Sequence, residues 1–330
     1  MATTRKPAIA GERARLLQSG LPSFIGAPWI ACDTETIRSH GATVAILGVP
    51  FDQATVYRSG SSHGPKGLRA ASEQFLPYLG EYDIDLFEEY HLVDCGDVPV
   101  VPGNAARSRA VINEYVGRVL DAGALPICVG GDHSIPIAIM DAVSERFPGK
   151  LGYLHFDAHL DTQPDVNGEK FTNWSGVSRA AERDNVDGKN VAVVGIRGAL
   201  NPPEQFQFAR DHGIAVFTMR QIEARGIEAV VRDALDRVTD ETQGFYVTWD
   251  TDVIDCSAMP GTDGPEPGGL TSREVLRAAE LVGARRPLGM DIVELTPAYD
   301  HPSFISCRLA CYLIFNVLGG MATGGEPARV

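Results

Sequence analysis

Residues 151–161 read LGYLHFDAHLD and combine an apolar run with three polar residues at alternate positions. Its first six residues are mainly apolar and predict a buried strand over 151–156. Asp157, His159 and Asp161 follow directly. Side chains two positions apart on an extended segment point the same way, so these three would share one face. The stretch therefore predicts a strand that ends in two carboxylates and an imidazole.

Apolar, β-branched runs of the same kind alternate with segments of helical period along the chain. Further strands are predicted at 43–48, 125–129, 190–195, 214–218 and 244–249. Helices are predicted at 105–121, 136–147, 203–212, 227–237 and 272–282. Strands that are apolar on both faces are typical of parallel sheets covered by helices on each side. The pattern predicts an α/β fold.

Two other predicted strands end in similar residues. His133 lies in GGDHS after the strand at 125–129, and Asp250 and Asp252 lie in WDTDVID at the end of the strand at 244–249. Ligands of open parallel sheets bind beyond the carboxyl ends of the strands, so these groups would meet at one edge. Six oxygen and nitrogen ligands without a thiolate favour two divalent ions. We expect Mn(II), with Ni(II) as the main rival.

Composition limits the possible partners. The chain has 330 residues, 44% of them hydrophobic, and a net charge of −14. We expect one domain over 1–330, with 1–40 as an N-terminal extension. The negative charge disfavours nucleic acid and anionic membranes and suits a small cationic substrate. No apolar leader or long uninterrupted apolar stretch is present and the six cysteines are scattered, so we expect a cytoplasmic protein.

The motifs GGDHS, DAHLD, DTDVID, PGT and PEPGGLT, in this order, resemble those of the ureohydrolase family, which includes arginase and agmatinase. The segment Gly48-Val49-Pro50-Phe51-Asp52 is similar to the GxPxD pattern of the agmatinase branch. The resemblance implies a three-layer α/β/α sandwich with a parallel sheet of about eight strands. It also implies a binuclear manganese centre, hydrolysis of a guanidino group to urea and an amine, and homo-trimers or homo-hexamers.

The resemblance also implies roles for individual residues. Asp157 and Asp250 would bridge the two ions, and the remaining ligands would divide as His133 and Asp161 on one ion, His159 and Asp252 on the other. Glu294 stands where the family has a glutamate that pairs with the substrate guanidinium, a planar cation that suits a bidentate carboxylate. Asp132 would hold the neighbouring ligand His133 in position or relay a proton.

The chain departs from the family pattern at Ser175, where a histidine that shuttles protons is expected. Water, Asp132 or Glu294 could relay the proton instead while Ser175 shapes the pocket, or His63 could reach in. A third possibility is an inactive homologue.

Substrate choice stays open for related reasons. Asn173 and Trp174 lie beside Ser175, and Trp174 would add an aromatic wall that favours a cation. With His63 and Ser175 also unusual, agmatine, guanidinobutyrate, guanidine and a biguanide-type analogue are all possible substrates. The alternative function is a non-catalytic metal-binding subunit that forms a hetero-oligomer with an active homologue.

Overall fold

A parallel sheet of eight strands forms the centre of the molecule in the computed structural model, which describes residues 22–325. In this part of the chain the strands are β1 (Val44–Val49), β2 (Tyr78–Leu79), β3 (Ile84–Asp85), β4 (Val93–Asp97), β5 (Leu125–Gly130), β6 (Leu151–Phe156), β7 (Val186–Ile196), β8 (Ala215–Thr218), β9 (Gly244–Asp250) and β10 (Gly289–Val293). Strands β2 and β3 pair separately, and the others lie in the order β4-β1-β5-β10-β9-β6-β7-β8.

Helices cover both faces of this sheet. They are α1 (Thr34–Ser39), α2 (Gly64–Ser72), α3 (Leu86–Tyr90), α4 (Ala105–Asp121), α5 (Ile135–Arg146), α6 (Gly176–Ala181), α7 (Pro203–Asp211), α8 (Met219–Arg225), α9 (Ile227–Thr239), α10 (Ser272–Ala284) and α11 (Ile305–Thr323). One apolar core joins the sheet to α2, α9, α10 and α11, and a second joins its other face to α1, α4, α5 and α6. The predicted three-layer α/β/α fold is confirmed.

All the strands and helices predicted from periodicity are present, with ends that differ by a few residues. Strands β4 and β10 were not identified because buried carboxylates interrupt their apolar runs: Asp94 in one and Asp291 in the other, both fully buried. Helix α11 was also missed, because it is apolar on most of its surface and lacks an amphipathic pattern.

Helix α11 also has the length and composition to cross a membrane, a property that the sequence analysis assigned to no segment. In the structure 72% of its most apolar window is buried. Its side chains fill the core beneath α2 and α10, and this burial explains the apolar composition. A core helix of a large domain is expected to be apolar all round.

The segment from residue 22 to residue 40 lies against the sheet edge. Phe24 is fully buried, and its backbone N–H donates to Asp94 Oδ2 at 2.9 Å. Arg69 from α2 donates to both carboxylate oxygens of Asp94, each at 2.9 Å. Part of the predicted N-terminal extension is thus hydrogen-bonded to the β4 carboxylate that also forms a buried ion pair with Arg69. Residues 1–21 of that extension lie outside the described residues.

Candidate metal centre

Four adjacent strands at the middle of the sheet, β5, β10, β9 and β6, carry the site at their carboxyl ends. Since all four are parallel, these ends lie on one edge, as the sequence analysis expected. The turn after β5 approaches the turn after β1 very closely. A Cβ atom at Gly131 would lie 1.7 Å from the carbonyl oxygen of Phe51, so only glycine fits there. This close approach holds His133 over the sheet edge.

The first group of ligand atoms gathers around the imidazole of His133. Its Nδ1 atom lies 2.9 Å from Asp157 Oδ2, 2.9 Å from Asp250 Oδ2 and 3.3 Å from Asp161 Oδ2. All four residues are at most 3% exposed. One imidazole nitrogen and three carboxylate oxygens from three strand ends therefore point at one small volume.

A second group lies beside the first and shares Asp157 with it. His159 Nδ1 is 3.3 Å from Asp157 Oδ1 and 3.0 Å from Asp252 Oδ2. Asp157 thus presents one oxygen to each group, which is the arrangement a bridging carboxylate needs. Asp250 presents Oδ2 to the first group, and its Oδ1 accepts a hydrogen bond from the backbone of Asp252 at 2.8 Å. The structure brings all six predicted ligands together.

The chemistry of this donor set fits divalent cations. His133 Nδ1 and Asp161 Oδ2 are buried and have no hydrogen-bond partner among the described residues. Burial raises the pKa of Asp161 and of Asp250 well above the usual range, and neighbouring carboxylates add to the effect. Buried carboxylates crowded in this way are stabilised by metal ions, which supply the compensating positive charge.

His155 is a member of the cluster that the sequence analysis missed. It is fully buried, its Nε2 lies 2.9 Å from Asp157 Oδ2, and its ring stacks on His133 with centroids 4.6 Å apart. Burial lowers the pKa of His155 to about 4, so the ring is neutral at pH 7. The signal was available, since His155 precedes Asp157 by two positions on the same strand face.

A buried chain of hydrogen bonds orients the His133 ring through Nε2, the nitrogen that does not face the carboxylates. Its Nε2 lies 3.0 Å from Thr248 Oγ1, and that hydroxyl donates to Asp291 Oδ1 at 2.6 Å. Tyr246 donates to the other oxygen of Asp291. Because the proton of Thr248 goes to Asp291, the hydroxyl accepts from Nε2–H of His133. The Nδ1 lone pair is then directed at the carboxylates, as a metal-binding imidazole requires.

The six predicted ligands line a cavity of about 700 Å³. Glu294 lines it and is 2% exposed. Its Oε1 accepts from the backbone N–H of His133 at 2.7 Å, while Oε2 has no partner among the described residues. Asn173 and Trp174 also line the cavity, and Trp174 is 39% exposed. Three of the predicted substrate-binding residues therefore line the same cavity as the His and Asp cluster.

Asp132, Ser175 and His63 do not line this cavity. Asp132 is fully buried, and its carboxylate accepts from the backbone of Ala54 at 2.7 Å and from the hydroxyl of Ser134 at 2.5 Å. Burial raises the pKa of Asp132 to about 6. These contacts make Asp132 a support of the two turns around His133 and leave it no free access to the cavity.

The hydroxyl of Ser175 points into its own loop. It donates to the carbonyl oxygen of Lys170 at 2.7 Å and accepts from the backbone N–H of Thr172 at 3.0 Å. His63 lies exposed in a 3₁₀ turn before α2. The structure therefore brings neither side chain to the ligands, because Ser175 closes the loop at the start of α6 and His63 faces solvent.

Comparison with known proteins identifies the family to which this arrangement belongs. Residues 42–319 match the arginase family, and this range contains every predicted ligand and Glu294. The chain belongs to the arginase family. The chain is 32% identical to a proclavaminate amidinohydrolase of Streptomyces clavuligerus over 280 residues, covering 84% of this chain and 88% of that protein. It is 34% identical to a guanidinopropionase of Pseudomonas aeruginosa over 299 residues, covering 89% of each.

Solved structures of arginase-family proteins agree with this assignment. The structure of the Streptomyces clavuligerus proclavaminate amidinohydrolase superposes with a TM-score of 0.84 at 29% identity, covering 94% of this chain and 99% of that chain. A formiminoglutamase of Trypanosoma cruzi, solved with Mn²⁺, gives a TM-score of 0.79 at 25% identity, covering 86% of this chain and 94% of that chain. The predicted family is confirmed, and with it a metal-binding cluster of His and Asp residues.

Proposed function

We propose that this chain is a binuclear metal-dependent amidinohydrolase that hydrolyses a guanidino compound to urea and an amine. The observation that carries the proposal is the convergence of six ligand side chains on the floor of a cavity that Glu294 also lines. Arginase-family relatives named as guanidinopropionase and agmatinase support the substrate class.

Each ligand group would hold one ion, with Asp157 contributing an oxygen to both. Divalent ions held by these residues would lower the pKa of a water molecule and so supply hydroxide at neutral pH, which the poorly electrophilic guanidinium carbon requires. Glu294 would pair with the guanidinium through its free Oε2 and hold the plane of the substrate in place. Trp174 would place an aromatic face beside the cation.

Mn(II) is the ion we propose, with Ni(II) as the rival, because carboxylate and imidazole ligands suit both metals. We also propose a cytoplasmic location and assembly into homo-trimers or homo-hexamers, which the resemblance to ureohydrolases implies. We further propose that residues 1–330 form a single domain in which residues 1–40 are an N-terminal extension.

The test is urea release from a panel of agmatine, guanidinobutyrate, guanidine and a biguanide, with metal content measured on the same sample after Mn(II) or Ni(II) loading. We expect two ions per chain and turnover of at least one compound. The matched control is Asp157→Asn, which removes the shared carboxylate and should abolish both readouts. Two bound ions without turnover would contradict the proposal, and activity that then appears only with an added homologue would establish the non-catalytic subunit instead.

A further inference from the structure

A second carboxylate that is not a metal ligand faces the same cavity. Asp263 lines the cavity and is 6% exposed. Its backbone is held on both sides: an antiparallel bridge joins Thr262 to Leu295, and the carbonyl oxygen of Asp263 accepts from Arg58 Nε at 3.0 Å. This bridge brings the chain segment that contains Asp263 beside the segment that contains Glu294.

The carboxylates of Asp263 and Glu294, which line one cavity, would be stabilised by a cation bound between them. No described residue donates a hydrogen bond to the Asp263 side chain, and Glu294 Oε2 is likewise buried without a partner. Two carboxylates without hydrogen-bond donors in one cavity lining repel each other, so the pair is an unsatisfied electrostatic feature of the free protein.

The negative charge of the whole cavity also favours a cationic substrate. Its lining includes seven carboxylates and, among the described residues, no lysine or arginine. Two divalent ions would balance about four of these charges, which leaves an excess of negative charge around the substrate. The outer lining is apolar, with Val56, Tyr57 and Leu200 each at least 60% exposed. A substrate tail that carries a carboxylate would find no cationic partner in this lining.

We propose that Asp263 and Glu294 bind one planar guanidinium cation from two sides, and that the site selects guanidino compounds whose tail carries no carboxylate. This inference rests on the proposed hydrolysis and specifies its substrate class. A guanidinium offers N–H groups on more than one edge, so two carboxylates can each accept from it. Tails that are uncharged and apolar suit the exposed residues at the outer lining.

The test compares two substrates of matched length, N-propylguanidine and 3-guanidinopropionate, which differ in the carboxylate. We expect kcat/KM of the metal-loaded wild type to favour N-propylguanidine by at least about tenfold. Asp263→Asn should lower kcat/KM for N-propylguanidine by about 10- to 100-fold, mainly through KM, and lower it much less for 3-guanidinopropionate. The control Glu223→Gln removes an exposed charge outside the cavity and should change either value by less than about threefold.

Calorimetric binding of guanidinium chloride to the metal-loaded protein separates this inference from the proposed function. Weaker binding by Asp263→Asn than by wild type supports the pair even if no compound yields urea. Equal binding by both proteins would overturn it, as would a wild-type preference for 3-guanidinopropionate. A loss of bound metal in Asp263→Asn would also overturn it, because Asp263 would then support the ions and not the substrate.

Discussion

Replacing Thr248 with valine should weaken metal binding without disturbing the fold. Valine has nearly the shape of threonine but lacks the hydroxyl that joins His133 Nε2 at 3.0 Å to Asp291 Oδ1 at 2.6 Å. Thr248 is fully buried, so no solvent can replace the lost contacts directly. The imidazole would then lose the acceptor that fixes its tautomer and its orientation toward Asp157 and Asp250.

The size of the effect follows from these contacts. Loss of a partner that orients a metal-binding histidine typically reduces metal affinity about 10- to 100-fold, which corresponds to about 1.4–2.7 kcal/mol. Only the ion held by His133 should be affected, because His159 has no contact with Thr248 and faces Asp252. We therefore expect one of two binding steps to weaken when metal is titrated against a chelator of known affinity.

The control for this experiment is Thr162→Val. Thr162 is also fully buried and donates to the carbonyl oxygen of Gln205 at 2.9 Å, but its hydroxyl contacts no ligand. Both variants should lose comparable stability in the metal-free state, and only Thr248→Val should lose metal affinity. Equal affinity in Thr248→Val and wild type would refute the orienting role of the hydroxyl, and equal weakening of both binding steps would refute its specificity for His133.

Three further changes have definite outcomes. Burial raises the pKa of Asp291 from 3.8 to about 6, so between these pH values the folded state keeps a proton that the unfolded state loses. The free energy of unfolding of the wild type, measured relative to Asp291→Asn, should therefore fall by about 3 kcal/mol as the pH rises from about 4 to about 6. Above about pH 6 the difference should stay constant. Denaturant unfolding in chelator measures this, and a difference independent of pH would contradict it. Arg69→Ala leaves Asp94 buried without its partner and should cost about 3–5 kcal/mol in the same assay, whereas a loss below about 1 kcal/mol would show that the pair contributes little. Ser175→His should destabilise the loop that contains Thr172 and give no gain in urea release, and a gain would show that an imidazole at this position reaches the substrate.

Sequence alone predicted most of the sheet because its strands are apolar on both faces. The stretch LGYLHF became β6 with the predicted bounds. The pattern failed where function or structure places a charge inside the sheet, as at Asp94, which binds Arg69, and at Asp291, which supports His133 through Thr248. Periodicity treats a buried carboxylate as a break in a strand, since it has no information about a partner supplied from elsewhere in the chain.

The six predicted ligands came together because each follows a strand, and parallel strands end on the same edge. The roles predicted for Ser175 and His63 depended instead on the conformation of irregular loops, for which the sequence has no periodic signal. The contribution of Asp263 could not be foreseen either, because it depends on the bridge between Thr262 and Leu295. Pairings between distant loops become visible only in three dimensions.

The backbone at Asp161 and Glu294 limits how this site can change under selection. Both residues have left-handed backbone conformations, with φ of 49° and 60°, which cost an ordinary side chain roughly 1–2 kcal/mol and cost glycine almost nothing. Variants with glycine at either position should therefore gain backbone stability while they lose a metal ligand or the cavity carboxylate. A library sorted for thermal tolerance alone is expected to drift toward such variants, so engineering of this chain must screen turnover and folding together.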